Sequence, residues 1–288
     1  MTNEKPINGG VVRKIIVSIF FVLTFLCSSA MSETAVEWFK KADALSDGDK
    51  YSDPKKAIEY LNNTIKLKPD YAVAYLNRGA AYAILGQQQR AIEDYNKAIR
   101  LKPDYAIAYY NRGMAYDNLG QQQRAIEDYN NAIRLQPNHA KAYYNRGYDY
   151  AELRQQQRAI EDYNNAIRLK PDYVAAFINR GITYADLGKP QRAIEDFNKA
   201  IRLKPDEAKA YNNRGNVYGK ALGKPKRAIE DFNEAIRLQS DYVSAYGNRA
   251  AAYFMLSQNK QGCRDAEKAC ALGDCRLSEL AKSEGLCR

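Results

Sequence analysis

The sequence predicts an all-α fold, a solenoid of paired helices, on three observations. A stretch of 34 residues, Ala72 to Tyr105 (AVAYLNRGAAYAILGQQQRAIEDYNKAIRLKPDY), returns as Ala106 to His139 and again from Ala140, Val174, Ala208 and Val243. Each copy carries two sets of small and aromatic residues at helical spacing. A proline near the end of most copies closes the second set. A fixed period of this length marks an array in which each unit touches only its neighbours, so a 288-residue chain needs no single central core.

The first helix of a unit follows from positions 4, 8 and 11, counting Ala72 as 1. Position 4 is Tyr75, Tyr109, Tyr143, Phe177, Tyr211 and Tyr246; position 8 is glycine from Gly79 to Gly215, then Ala250; position 11 is tyrosine from Tyr82 to Tyr253. These fall on one side of a helix by the i, i+4, i+7 rule. Positions 20, 24 and 27 make a second stripe, as in Ala125, Tyr129 and Ala132. Two helices, A and B, therefore meet near Gly86 and its equivalents. Proline at position 32 (Pro69, Pro103, Pro137, Pro171, Pro205) ends helix B, because it lacks an N–H and clashes with the preceding turn. The copy from Ala208 has one extra residue within Gly219 to Gly223.

These markers resemble the tetratricopeptide repeat family over about five sixths of the chain. The resemblance implies a right-handed superhelix whose A helices line a concave face, with positions 2, 5, 6, 9, 12 and 13 directed into it. The chain departs from the family at position 7, where leucine is usual and Arg78, Arg112, Arg146, Arg180, Arg214 and Arg249 stand instead. Those arginines have no assigned role from sequence; an acid on the adjoining helix or a tyrosine ring is within their reach.

The units so defined are a degenerate first one over 31–71, then 72–105, 106–139, 140–173, 174–207, 208–242 and 243–276, with a capping helix in 277–288. In the first, Trp38, Ala42 and Leu45 stand in for positions 4, 8 and 11. Its loop Ser46 to Pro54 holds Asp47, Asp49 and Asp53 but lacks the glutamate that a calcium loop of the EF-hand type needs, and reads as solvated. Ahead of the array, Arg13 and Lys14 precede an apolar run from Ile15 to Cys27, followed by Ser28, Ser29 and Ala30. Residues 1–30 have the layout of a secretory signal peptide, which predicts an exported chain, periplasmic or secreted. A membrane anchor over residues 11–27 is the alternative, although the run is shorter than the roughly 20 residues of a spanning helix.

Cys263, Cys270, Cys275 and Cys287 sit together at the far end. An even number in an exported chain predicts disulfides. If the closing helix folds back along the last B helix, Cys270 pairs with Cys275 and Cys263 with Cys287. A zinc site is disfavoured because no CxxC pair is present.

The formal net charge is +10. Much of the charge is repeated. Position 19 arginine (Arg90, Arg124, Arg158, Arg192, Arg227) precedes position 23 aspartate (Asp94, Asp128, Asp162, Asp196, Asp231) by four residues. That spacing predicts exposed i, i+4 pairs worth about 0.2–0.5 kcal/mol each. Position 29 arginines suit helix C-termini. The surplus favours acidic partners.

Enzyme chemistry finds little to stand on. The one histidine, His139, occupies a unit junction where tyrosine is usual, and no phosphate loop or HExxH motif occurs. No cofactor is implied. Binding is the better reading. Position 6 is asparagine in six successive units: Asn77, Asn111, Asn145, Asn179, Asn213 and Asn248. An amide offers donor and acceptor together and can bridge a peptide's main chain without reading its sequence. The row is similar to the asparagine ladder in the repeat domain of O-linked N-acetylglucosamine transferase, which implies an extended peptide in the groove; copying of the unit would also produce such a row. Tyr110, Tyr144 and Tyr148 make the middle of the groove aromatic, with Lys141 and Lys209 at position 2 beside it. These suit a protein or peptide partner with apolar side chains and a carboxylate. The two-lysine carboxylate clamp of chaperone-binding members is not reproduced in full. A self-associating envelope protein and a nucleic-acid-binding array are the rival readings; the repeat markers and the leader argue against nucleic acid.

Overall fold

The computed structural model describes residues 33–48 and 50–287, and residues 1–30, read above as a leader, lie outside these, as does Asp49. The described chain divides into two compact units, up to Gly86 and from Gln87 onward.

The first unit holds α1 (Ala35–Asp43), α2 (Pro54–Leu67) and α3 (Ala72–Ile84). Thr34 and Glu37 form a reciprocal capping box that starts α1. Asp53 caps α2 by accepting from the Lys56 N–H at 3.0 Å, and Asp47 accepts from the Lys50 N–H at 3.0 Å. Two of the three loop acids are thus engaged by backbone. Ala42, Leu61 and Ala74 are buried together, and Trp38 packs on Tyr60 with ring centroids 5.5 Å apart. Leu45 lies in the turn after α1 rather than on it, because the helix stops at Asp43.

The second unit holds α4 (Gln88–Leu101), α5 (Ala106–Asn118), α6 (Gln122–Leu135), α7 (Ala140–Glu152), α8 (Gln156–Leu169), α9 (Val174–Asp186), α10 (Pro190–Leu203), α11 (Ala208–Asn216), α12 (Pro225–Leu238), α13 (Val243–Met255), α14 (Asn259–Ala271) and α15 (Arg276–Ser283). Each helix packs on its neighbours in sequence, and each A helix (α5, α7, α9, α11, α13) also meets the next A helix. α6 and α8 have one and the same sequence, QQRAIEDYNNAIRL. The architecture is an all-α helical-repeat solenoid.

The aromatic at position 24 is the centre of each hairpin. Tyr129, Tyr163, Phe197 and Phe232 are almost wholly buried. They pack directly against the position 8 glycine of the facing A helix: a Cβ on Gly181 would stand 2.8 Å from Cε1 of Phe197. The last hairpin reverses the arrangement. Ala250 and Ala266 take the two places, and Phe254 fills the space against Gly262.

The extra residue in the copy from Ala208 is taken up by a π-helical turn, Val217–Ala221, where the Leu222 N–H reaches back five residues to the Val217 carbonyl at 3.2 Å. At the far end α15 folds onto α14. Cys263 is bonded to Cys287 and Cys270 to Cys275.

One expectation is overturned. Position 23 aspartates do not pair with position 19 arginines on an outer face. Asp128, Asp162, Asp196 and Asp231 are buried, because positions 20, 23, 24 and 27 share the face of helix B turned toward helix A. Their partners are the position 7 arginines. Arg112 donates to both oxygens of Asp128, from Nε at 2.7 Å and Nη2 at 2.6 Å, and its Nη1 reaches Asn96 of the preceding hairpin at 2.5 Å. Arg146, Arg180, Arg214 and Arg249 repeat the pattern. The position 19 arginines turn elsewhere: Arg124 bonds Gln121 at 3.0 Å and lies 5.6 Å from the centroid of Tyr116.

Candidate interaction face

The A helices of the second unit carry the asparagine row, and all its members are half-buried. The Nδ2 of Asn145 donates to the Tyr110 hydroxyl at 3.2 Å, and that of Asn179 to the Tyr144 hydroxyl at 2.9 Å. Asn248 donates to Oδ1 of Asn212 at 3.0 Å. Position 6 of one unit is therefore tied to position 5 of the unit before. Asn111 and Asn213 hold the same register place; Asn77 belongs to the first unit and is also half-buried.

Position 5 is interior at Tyr110, Ile178 and Asn212 and half-buried at Tyr144 and Gly247, a correction to the expectation that it lines the groove. Tyr110 is 8% exposed and sits among Ala125, Tyr129 and Ala142, while Ile178 and Asn212 are likewise buried. The tyrosine rings wedge between units: Tyr110 stacks on His139 at 4.5 Å and Tyr144 on Tyr173 at 4.9 Å. What Tyr110 and Tyr144 present to the row is the hydroxyl that the next amide grips. His139 is a junction residue. Its Nδ1 accepts from the Ala142 N–H at 3.2 Å at the start of α7, and burial lowers its pKa below the ordinary value, favouring the neutral ring that acceptance requires.

Position 9 is what the face exposes: Met114, Tyr148 and Ile182 are each about two-fifths accessible. Lys141 and Lys209 are exposed. Between α7 and α9 lies a cavity of about 300 Å³ whose lining includes Tyr148, Glu152, Asn179 and Ile182.

Sequence reasoning missed one feature here. Asp149, at position 10 of α7, is completely buried, and neither of its carboxyl oxygens meets a donor. Burial and the neighbouring Asp117 carboxyl, which is within hydrogen-bonding reach, raise its pKa to about 8. Aligning the copies would have flagged it, since the same place elsewhere is Ala81, Ala115, Thr183, Val217 and Ala252.

Family models described as tetratricopeptide repeats match residues 81–120, 106–139, 147–214 and 208–242. The chain belongs to the tetratricopeptide repeat family. Solved TPR structures resemble it. MamA is 28% identical, with a TM-score of 0.54 over 56% of this chain and 94% of that one. YrrB, described as a TPR protein with an unusual peptide-binding site, is 24% identical, with a TM-score of 0.56 over 65% and 96%. A TPR protein from Parabacteroides merdae is 22% identical, with a TM-score of 0.67 over 85% and 98%. No curated protein sequence matches the chain. TPR arrays are protein-interaction scaffolds, typically without catalytic activity, and this chain is of that class.

Among the described residues no helix is long and apolar enough to cross a membrane.

Proposed function

We propose that the chain is an exported scaffold that holds an extended polypeptide along its A helices, with the asparagine row meeting the partner's main chain. The observation that carries this reading is how the amides are held. Tyr110 and Tyr144 each accept one N–H of Asn145 and Asn179, and Tyr129 and Tyr163 are within hydrogen-bonding reach of the same two amides, which sets the direction of each amide and leaves its carbonyl oxygen to meet a partner. Amides fixed at the same position of successive units form a repeating polar track that can hydrogen-bond the main chain of an extended partner. Tyr148, Met114 and Ile182 beside them offer apolar surface to its side chains. Export is supported by the signal-like layout of residues 1–30 and by four cysteines in two bonds at one end.

The test is selection of random dodecamer peptides against the whole protein, repeated with Asn111, Asn145 and Asn179 changed together to Ala. Selected peptides should bind the triple variant at least about tenfold more weakly at unchanged helicity. Equal affinity for both proteins overturns the reading.

A further inference from the structure

Positions 6 and 9 are three residues apart on an A helix and so share a face. In α5, α7 and α9 that face repeats without a change of type: Asn111 with Met114, Asn145 with Tyr148, Asn179 with Ile182. Asn145 and Asn179 are each tied to a tyrosine of the unit before, so each amide is held the same way in its own unit. Asn179 borders the same cavity of about 300 Å³ as Tyr148 and Ile182, so amide and apolar surface open onto one space. Each unit therefore makes the same two demands of a partner, one hydrogen bond and one apolar contact.

The step from unit to unit selects the conformation that can meet those demands. Successive A helices touch, and packed helices have axes about 8–10 Å apart. An extended main chain rises about 3.1–3.4 Å per residue, so about three of its residues pass each unit. A β-strand repeats every two residues. Three residues on, its N–H and its side chain have turned to the opposite side, so it would satisfy alternate units only. A polyproline II helix repeats every three residues, rises about 9.3 Å per turn and leaves its N–H groups unpaired. Of the two, it is the one that presents the same N–H and the same side chain to each successive unit.

We propose that the bound polypeptide docks as a polyproline II helix, with an apolar side chain at every third residue along Met114, Tyr148 and Ile182. The same period fixes where proline is excluded. The tyrosines take up N–H groups of the amides, which leaves the carbonyl oxygens as acceptors. One partner residue in three must therefore keep its N–H, and the other two need none. The inference rests on the A face being a peptide groove, and adds to it the partner's conformation and period.

Asparagine-dependent dodecamers from the selection described above test it. Each residue of such a peptide is replaced in turn by alanine and by N-methylalanine, and the two are compared to isolate the N–H. The loss on N-methylation should be at least about tenfold and recur at every third residue. It should disappear against the protein with Asn111, Asn145 and Asn179 changed to Ala. The loss on alanine substitution should recur with the same period. Any other pattern, such as a two-residue period or N-methyl losses that persist in the variant, overturns the inference and leaves the groove intact. Peptides indifferent to the asparagines, or a library that yields no binder, overturn both.

Discussion

Arg146 holds Asp162 with two parallel hydrogen bonds, Nε to Oδ2 at 2.7 Å and Nη2 to Oδ1 at 2.6 Å, while its Nη1 reaches Asn130 of the preceding hairpin at 2.6 Å. One side chain thus closes its own hairpin and joins it to the last one. Burial raises the Asp162 carboxyl even with Arg146 against it, so desolvation consumes much of what the pair gains.

Removing one partner should therefore be worse than removing both. Asp162→Ala should cost about 3 kcal/mol in urea unfolding, by leaving a largely buried guanidinium uncompensated. Arg146→Met combined with Asp162→Leu should recover most of that loss. Equal losses in the single and double variants would mean that the pair acts through shape alone.

The close seat of Phe197 on Gly181 leaves no room for a methyl group at 2.8 Å. Gly181→Ala should destabilise by about 1–3 kcal/mol through overpacking. Adding Phe197→Leu should restore part of it, as Ala250 and Ala266 coexist in the last hairpin. Thermal melts of the three proteins decide this.

Arg154 adopts φ +59° at a turn where Gly86, Gly120, Gly188 and Gly223 stand in other copies. A left-handed backbone is unfavourable for a residue with a Cβ. Arg154→Gly should raise stability by about 0.5–1 kcal/mol, net of the extra freedom glycine has when unfolded. A lower melting temperature would count against strain at this turn.

Two buried groups give stability opposite pH dependences. His139 has a pKa below its ordinary 6.5, so its contribution is complete above that pH and is lost as pH falls through the lower folded value. Asp149 is raised from 3.8 to about 8, so the folded state holds a proton that the unfolded chain has released, and stability declines as pH rises between those values. Asp117, Glu152, Tyr129 and Tyr148 are the titratable groups that act on Asp149 or feel its charge. His139→Tyr should flatten the acid side of a melting-temperature profile, and Asp149→Ala the neutral-to-alkaline side. Unaltered profiles would show that neither group changes its proton affinity on folding.

Peptide mapping without reduction should recover Cys263 joined to Cys287 and Cys270 to Cys275. Opening the 24-residue loop between Cys263 and Cys287 with Cys263→Ala should loosen the cap by about 3 kcal/mol. Amide exchange should rise in α15 and remain slow in α6 and α8; faster exchange throughout would mean that the bond holds more than the cap.

The fold was legible because period, small residues and prolines are local signals that repeat, and repetition separates them from noise. Contacts between helices were less so. The spacing of Arg158 and Asp162 fits a helix surface pair, but which side of helix B faces inward depends on Tyr163 and its seat on Gly147, and that places Asp162 against Arg146 instead. The asparagine row was visible as letters, whereas its tethering to Tyr110 and Tyr144 depends on how successive hairpins rotate. Asp149 looked like one variable residue until its burial was seen.

α6 and α8 share every residue, so neither can tell its own docking place from the other's. The A helices and the turns distinguish these hairpins, Asp149 against Ala115 and Arg154 against Gly120 among the marks. A folding chain that loops out one hairpin and closes the gap would bury nearly the same surface as the native array. Correct order must then be chosen by the sparse differences and by the unlike ends, so the degeneracy that makes the scaffold easy to lengthen also makes it prone to skipping a step.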